Sequence, residues 1–181
     1  MMTIAIFLGA VAIGLVFTIP KIASSIPKTA SRYPSKDCAD WRVSDRFLER
    51  GDPYTADQLA AWVKNNDEAA HGYAFPILFP WDVAFMVFLG GFLGAGSIAC
   101  ATLIPFLKPY AAGATVLPAA YIAADFLEDM LLARLLLRLT VIDDDSVRAA
   151  KCASRVKLLT SLAAVLQTIV LAALAIFFQL S

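Results

Sequence analysis

Charge is scarce in this chain and unevenly placed. Only 17% of its 181 residues are Asp, Glu, Lys or Arg, and they gather into clumps with long uncharged stretches between them. A soluble domain carries about 25% charged and 45–50% apolar residues; here 60% are hydrophobic and the mean hydropathy is +0.71. So little charge excludes a water-facing surface over most of the chain and points to a bilayer as solvent.

Other scarcities narrow the chemistry. There is one histidine, His71, and it reads as a solvated loop residue. The acidic run 121–138 contains no Glu-x-x-His pair, which argues against a di-metal helical bundle there and leaves no metal site indicated. The three cysteines, Cys38, Cys100 and Cys152, form no CxxC, which argues against a thiol oxidoreductase; three free thiols are expected. No Lys or Arg precedes Lys21, so the apolar start lacks the basic n-region of a secretory signal and reads as a membrane span. The acids have no His, Cys or Ser set at a recognisable catalytic spacing, and no cofactor is indicated. Nothing points to nucleic acid.

What is present is a set of four apolar stretches. Residues 1–20, 83–107 and 158–181 are uncharged, each close to or above the roughly 20 residues that cross a hydrocarbon core. The fourth, 109–124, has only 16 uncharged residues, so a helix starting at Pro109 has to run past Asp125 to about Glu128 to cross. The expected fold is all-α, a four-helix transmembrane bundle with spans at about 2–20, 81–107, 109–136 and 157–180 and a long, partly helical connection over 21–79. Fourteen of the fifteen basic residues fall in or beside the connections 21–79 and 139–156, and only Lys108 lies opposite. The positive-inside rule therefore expects a multi-pass protein of a bacterial inner membrane with both connections cytoplasmic and both termini outside.

Within the long connection a short helix is expected at about 44–50, ended by Gly51. A clearer one follows at TADQLAAWVKNN, where Thr55 and Gln58 make a capping box and Leu59, Trp62 and Val63 recur at helical spacing. Its apolar face is expected on the membrane surface or docked on the bundle. GYAFPILFPWD then leads into the second span, with aromatic residues suited to the interface.

The glycines of GGFLGAG sit mid-span, with neither a preceding strand nor a helix start to cradle phosphate. Gly90 and Gly94 form a GxxxG pair with Gly91 on a neighbouring track, a surface for close approach of another helix.

The run YIAADFLEDMLLARLLLR holds the acids. With Asp125 at zero, helical geometry puts Tyr121 at about −40°, Glu128 at about −60° and Asp129 at about +40°, while Arg134 and Arg138 fall on the opposite side and are expected to snorkel to headgroups. Topology brings Asp82, at the head of span two, and Arg155 and Lys157, at the head of span four, to a similar depth. Ionisable groups in a span face the bundle interior and are functional candidates. Asp82, Tyr121, Asp125, Glu128 and Asp129 are thus the candidate ligand or ion pocket, with Arg155 and Lys157 as ion-pair partners; the alternative is a salt-bridge cluster that clamps the helices.

The stretch from Thr55 through DEAAHGYAFPILFPWD, followed by a third span ending in Asp125-x-x-Glu128, resembles an uncharacterised family of small bacterial four-span membrane proteins. In that family a tyrosine-containing helix leads to an aspartate at the head of span two, and span three ends in Asp-x-x-Glu-Asn. The resemblance covers about residues 55–138; Asp82, Asp125 and Glu128 match, and Asp129 stands where the family has asparagine. It implies a fold and no activity.

The reading that follows is a non-enzymatic membrane protein, either an accessory or assembly subunit of a larger membrane complex or a lipid or small-ligand binder. Its partners are the bilayer and other membrane subunits or further copies of itself. Proton or cation handling through the carboxylates is the alternative, and a lipid-modifying enzyme the third reading. Four short spans without an internal repeat argue against a complete alternating-access transporter.

Overall fold

The computed structural model describes residues 2–25 and 54–180. Among these the chain is helical throughout, with no strand. In order come α1 (Met2–Ser25), α2 (Ala56–Asn65), α3 (Asp67–Gly72), a kinked segment (Tyr73–Asp82), α4 (Val83–Leu103), a 3₁₀ stretch (Lys108–Thr115), α5 (Val116–Leu136) and α6 (Asp144–Leu180). Two helical runs, Ala70–Leu103 and Asp144–Leu180, are long and apolar enough to cross a membrane. The helix expected at 44–50 and Cys38 lie outside the described residues.

Several boundaries differ from those expected, each for a local reason. The second long helix stops at Leu103 rather than 107, because Ile104 precedes Pro105 and the proline ring disfavours helical backbone in the residue before it. Helix α5 begins at Val116 rather than Pro109; Pro105, Pro109 and Gly113 interrupt regular hydrogen bonding, and the chain winds there as a 3₁₀ turn. The largest difference is α6, expected from 157 and observed from Asp144, so most of the connection 139–156 is helix. No glycine or proline occurs over 144–180, and the start is fixed by a reciprocal cap. Ser146 N donates to Asp143 Oδ1 at 2.8 Å and Asp143 N to Ser146 Oγ at 3.0 Å. Hydrogen bonding to the carboxyl from Ser146, its backbone N–H first and its side chain second, holds Asp143 below its ordinary pKa.

The entry to α4 is kinked twice. Phe75 (φ −135°, ψ 118°) and Phe79 (φ −123°, ψ 120°) are extended, the backbone that Pro76 and Pro80 favour in the residue before each.

Tertiary contacts divide the chain into two compact units. The first comprises Met1–Gly14, Ala84–Phe126 and Arg155–Ser181. Small residues bring its helices together: Ala5, Gly9 and Ala12 form the buried line of α1, and Gly90 and Gly94 lie against α5. A Cβ at Gly90 would fall 2.6 Å from Ile122 Cδ1 and 3.5 Å from Tyr121 Cδ1, and one at Gly94 would fall 3.7 Å from Pro118 Cβ. Gly91 faces α1 instead, where an added Cβ would fall 3.3 Å from Leu8 Cδ1. The closeness at Gly90 leaves no room for a side chain unless Ile122 moves. Gly90→Val is therefore expected to destabilise the protein by about 1–3 kcal/mol through overpacking. Equilibrium unfolding in mixed micelles should show the loss, and Ile122→Ala in the same chain should recover part of it.

The first unit also holds a polar clamp that the sequence reading missed. Ser97 is fully buried, and its Oγ lies 3.0 Å from Thr168 Oγ1. Gln167 Nε2 donates to Ser97 Oγ at 3.2 Å and to the Ala114 carbonyl at 2.6 Å. One amide thus ties α4, α6 and the 3₁₀ stretch together, satisfying polar groups that would be costly in an apolar interior.

The second unit comprises Leu15–Val83 and Leu127–Ser154. Its core joins α2 (Leu59, Trp62, Val63), the kinked segment (Tyr73, Ile77, Leu78), the end of α5 (Leu132, Leu135, Leu136) and the start of α6 (Val147, Ala150). The apolar face of α2 docks on protein. Both reciprocal bonds of the Thr55–Gln58 capping box are present.

Two basic residues bracket α2. Lys151 Nζ donates to the Tyr54 carbonyl at 2.5 Å and sits 4.5 Å from the centre of the Tyr54 ring. Arg138 Nη2 donates to the Val63 carbonyl in the last turn of α2 at 2.6 Å and pairs with Asp67 at 3.2 Å. Arg138 does not reach for headgroups as expected, because it closes α5. Its φ is 54°, and the bonds Leu139 N to Arg134 O and Arg138 N to Leu135 O make a Schellman motif with arginine at the position glycine usually takes. Left-handed backbone costs a non-glycine residue about 1–2 kcal/mol; the contacts to Val63 and Asp67 offset it.

Candidate functional site

Helix α5 carries its acids as the periodicity of its sequence requires. Tyr121, Asp125, Glu128 and Asp129 lie on the inward face, and all four are buried, the three carboxylates at 1%, 0% and 0% exposure. Arg134 is exposed on the other side. Fully buried acids are rare because each ion costs several kcal/mol to desolvate, so the surroundings of each decide what the face can do.

Within the first unit, Asp125 pairs with Lys157 of α6, Oδ1 to Nζ at 2.6 Å. At this distance the two opposite charges form an ion pair. Lys157 is 22% exposed and Asp125 1%. A pair this sheltered is screened little by solvent or salt. Arg155, the other cation at the head of this stretch, is exposed.

Within the second unit, Glu128 accepts a short hydrogen bond from Ser154 Oγ of α6. Asp82, half-buried at the end of the kinked segment, brings a carboxylate oxygen within 4.8 Å of one from Asp129. Two carboxylates at this spacing repel unless a proton or a cation lies between them. Oxygen donors of this kind suit a hard cation such as Mg²⁺ or Ca²⁺. Asp125 follows the same helical face one turn ahead of Asp129.

Ser154 was not among the residues singled out from sequence, although a signal for it exists. Ser154, Lys157, Ser161 and Thr168 recur at spacings of three, four and seven along α6, which places them on one helical face. That face is lined by Ala150, Ala153, Ala164 and Ala175, all buried. Ser154 was hidden because the fourth span was expected to begin only at 157.

The remaining candidates stand apart from these contacts. His71 is exposed in the last turn of α3. Cys100 and Cys152 are free thiols, the second of them exposed. Compared with known proteins, the chain matches no family model, no curated protein and no solved structure.

Proposed function

We propose that this chain is a four-span integral membrane protein with a non-enzymatic role, an accessory subunit that packs against other membrane chains. The observation that supports it is an inverted surface. Ile4, Phe7, Ile13 and Phe17 of α1 and Leu158, Leu159, Leu162, Leu166, Ile169 and Ile176 of α6 are exposed, while Asp125, Glu128 and Asp129 are buried. In water that arrangement is unfavourable, at about 25 cal/mol per Å² of exposed apolar surface; in lipid it is the arrangement expected. At a rise of 1.5 Å per residue α6 is about 55 Å long, more than the roughly 30 Å of a hydrocarbon core, so its first turns stand clear of the bilayer. The charge distribution supports an inner-membrane orientation with 21–79 and 139–156 cytoplasmic.

A second reading, proton or cation handling, is favoured by the complete burial of the three acids on one helical face. Asp125→Asn with Glu128→Gln, in full-length protein reconstituted into vesicles loaded with a pH-sensitive dye, separates the two. On the accessory reading the double variant stays in the membrane, co-purifies with the same chains and leaves vesicle proton leak unchanged. A proton or cation flux carried by the native protein and abolished in a variant that still folds and assembles would overturn it in favour of the second.

A further inference from the structure

The apolar exposed surface of α6 ends on an arginine. From Val156 to Phe178 every exposed side chain of the helix is apolar, a stretch of about 33 Å at 1.5 Å per residue, close to the thickness of a hydrocarbon core. Arg155 comes next and is exposed, followed toward the helix start by exposed Cys152, Arg148 and Asp145. Helix α5 changes in the same way. Its exposed residues from Val116 to Met130 are all apolar, and the next exposed one is Arg134.

Both guanidinium groups are left uncompensated. Of the other basic residues of α6, Arg148 pairs with Asp145 at 3.5 Å, Lys151 donates to the Tyr54 carbonyl and Lys157 pairs with Asp125. Arg155 and Arg134 have no ion pair or hydrogen bond among the described residues. Arg155 was expected to answer the buried acids, but two residues of helix turn it about 200° away from Lys157. The nearest acid before it on α6, Asp145, lies ten residues away, about 15 Å along the axis, beyond a screening length of about 8 Å. A cation at the rim of a lipid-facing surface lies at the level of the headgroup phosphates, and the planar fork of arginine matches two phosphate oxygens at once. A zwitterionic headgroup sets its own ammonium beside that phosphate; an anionic one does not, and the attraction to an anionic leaflet is about fivefold in affinity per arginine.

We propose that Arg155 and Arg134 each bind the phosphate of an anionic phospholipid headgroup where their helix leaves the hydrocarbon core. The proposal rests on the membrane reading above and names the lipid class which that reading leaves open. It is tested on full-length protein in micelles, titrated separately with dioleoylphosphatidylglycerol and dioleoylphosphatidylcholine, which differ only in the headgroup. Native mass spectrometry reads the affinity of the first lipid retained. The phosphatidylglycerol is expected to be held at least about fivefold more tightly. Arg134→Gln with Arg155→Gln should bring the two lipids within about twofold, whereas Lys64→Gln, at an exposed lysine of α2, should leave the preference unchanged. Both arginines are exposed and unpaired, so the double variant is expected to keep the native circular dichroism. Equal affinity for the two lipids, or a preference that survives in the double variant, overturns the proposal. So does displacement of phosphatidylglycerol by excess inorganic phosphate, which would mark a site for free anions. Alkaline carbonate extraction of native membranes keeps the two readings apart. Protein released by carbonate refutes the membrane reading, whereas protein retained in the membrane but without the lipid preference refutes the headgroup contact alone.

Discussion

Replacing Lys157 with methionine is expected to destabilise the protein by about 3–5 kcal/mol, the cost of leaving a buried carboxylate without its cation. Asp125 is 1% exposed and its Oδ1 lies 2.6 Å from Lys157 Nζ, so removal of the ammonium strands the acid where water cannot replace it. Methionine matches the length of the lysine stem, which isolates the loss of charge from a loss of packing. The sharper half of the expectation concerns the double variant. Lys157→Met with Asp125→Leu removes both charges and should recover most of the loss, since a buried ion pair is often no more stabilising than well-packed apolar residues of similar volume. Equilibrium unfolding in mixed micelles measures both. A loss below about 1 kcal/mol in the single variant, the range of exposed surface pairs, would show that the contact does not hold α5 to α6.

Trp62→Ala is expected to be as damaging in the second unit, by about 3–5 kcal/mol. The indole is 9% exposed within a core that also contains Leu59, Val63, Tyr73, Leu132 and Leu136. Truncation opens a cavity between α2 and the ends of α5 and α6, where the straps from Lys151 and Arg138 limit how far α2 can settle into it. Hydrogen exchange should read the effect as faster exchange of the α2 amides from Leu59 to Asn65. If those amides exchange at the native rate in Trp62→Ala, the docking of α2 is not what protects them. The expectation distinguishes a helix docked on protein from one lying loosely on a membrane surface, where a tryptophan contributes mainly by partitioning into the interface.

These two sites differ in how far the sequence disclosed them. The acidic face was legible from geometry alone: a helix over 121–129 puts Tyr121, Asp125, Glu128 and Asp129 within about 100° of one another whatever surrounds it. Which cation would answer Asp125 was not legible, because Arg155 and Lys157 are two residues apart and a helix sends them to different sides. Only the rotation of α6 chose Lys157. The α2 helix was legible through its Thr55–Gln58 cap and its Leu59, Trp62, Val63 spacing, both local. Its docking was not, since an amphipathic face reads the same whether it meets lipid or protein. Arg138 is the clearest case of a residue misjudged: its left-handed backbone has no sequence signature when glycine is absent, and its bonds to Val63 and Asp67 join residues some seventy positions apart.

Hydropathy and charge spacing by themselves determined that this chain is helical and that at least two of its helices suit a bilayer, because burying a backbone in lipid leaves the helix as the local solution. The breaks beside Pro76, Pro80 and Pro105 are equally local, since proline acts on the residue before it, although the spans expected at 81–107 and 109–136 ran through Pro105 and started at Pro109. Tertiary structure alone decided that Glu128 meets Ser154, that Lys157 meets Asp125 and that Ser97, Gln167 and Thr168 form a clamp. Each of these depends on the rotation of one helix against another, and that rotation is set by side-chain volumes at contacts such as Gly90 with Ile122, which no local pattern records.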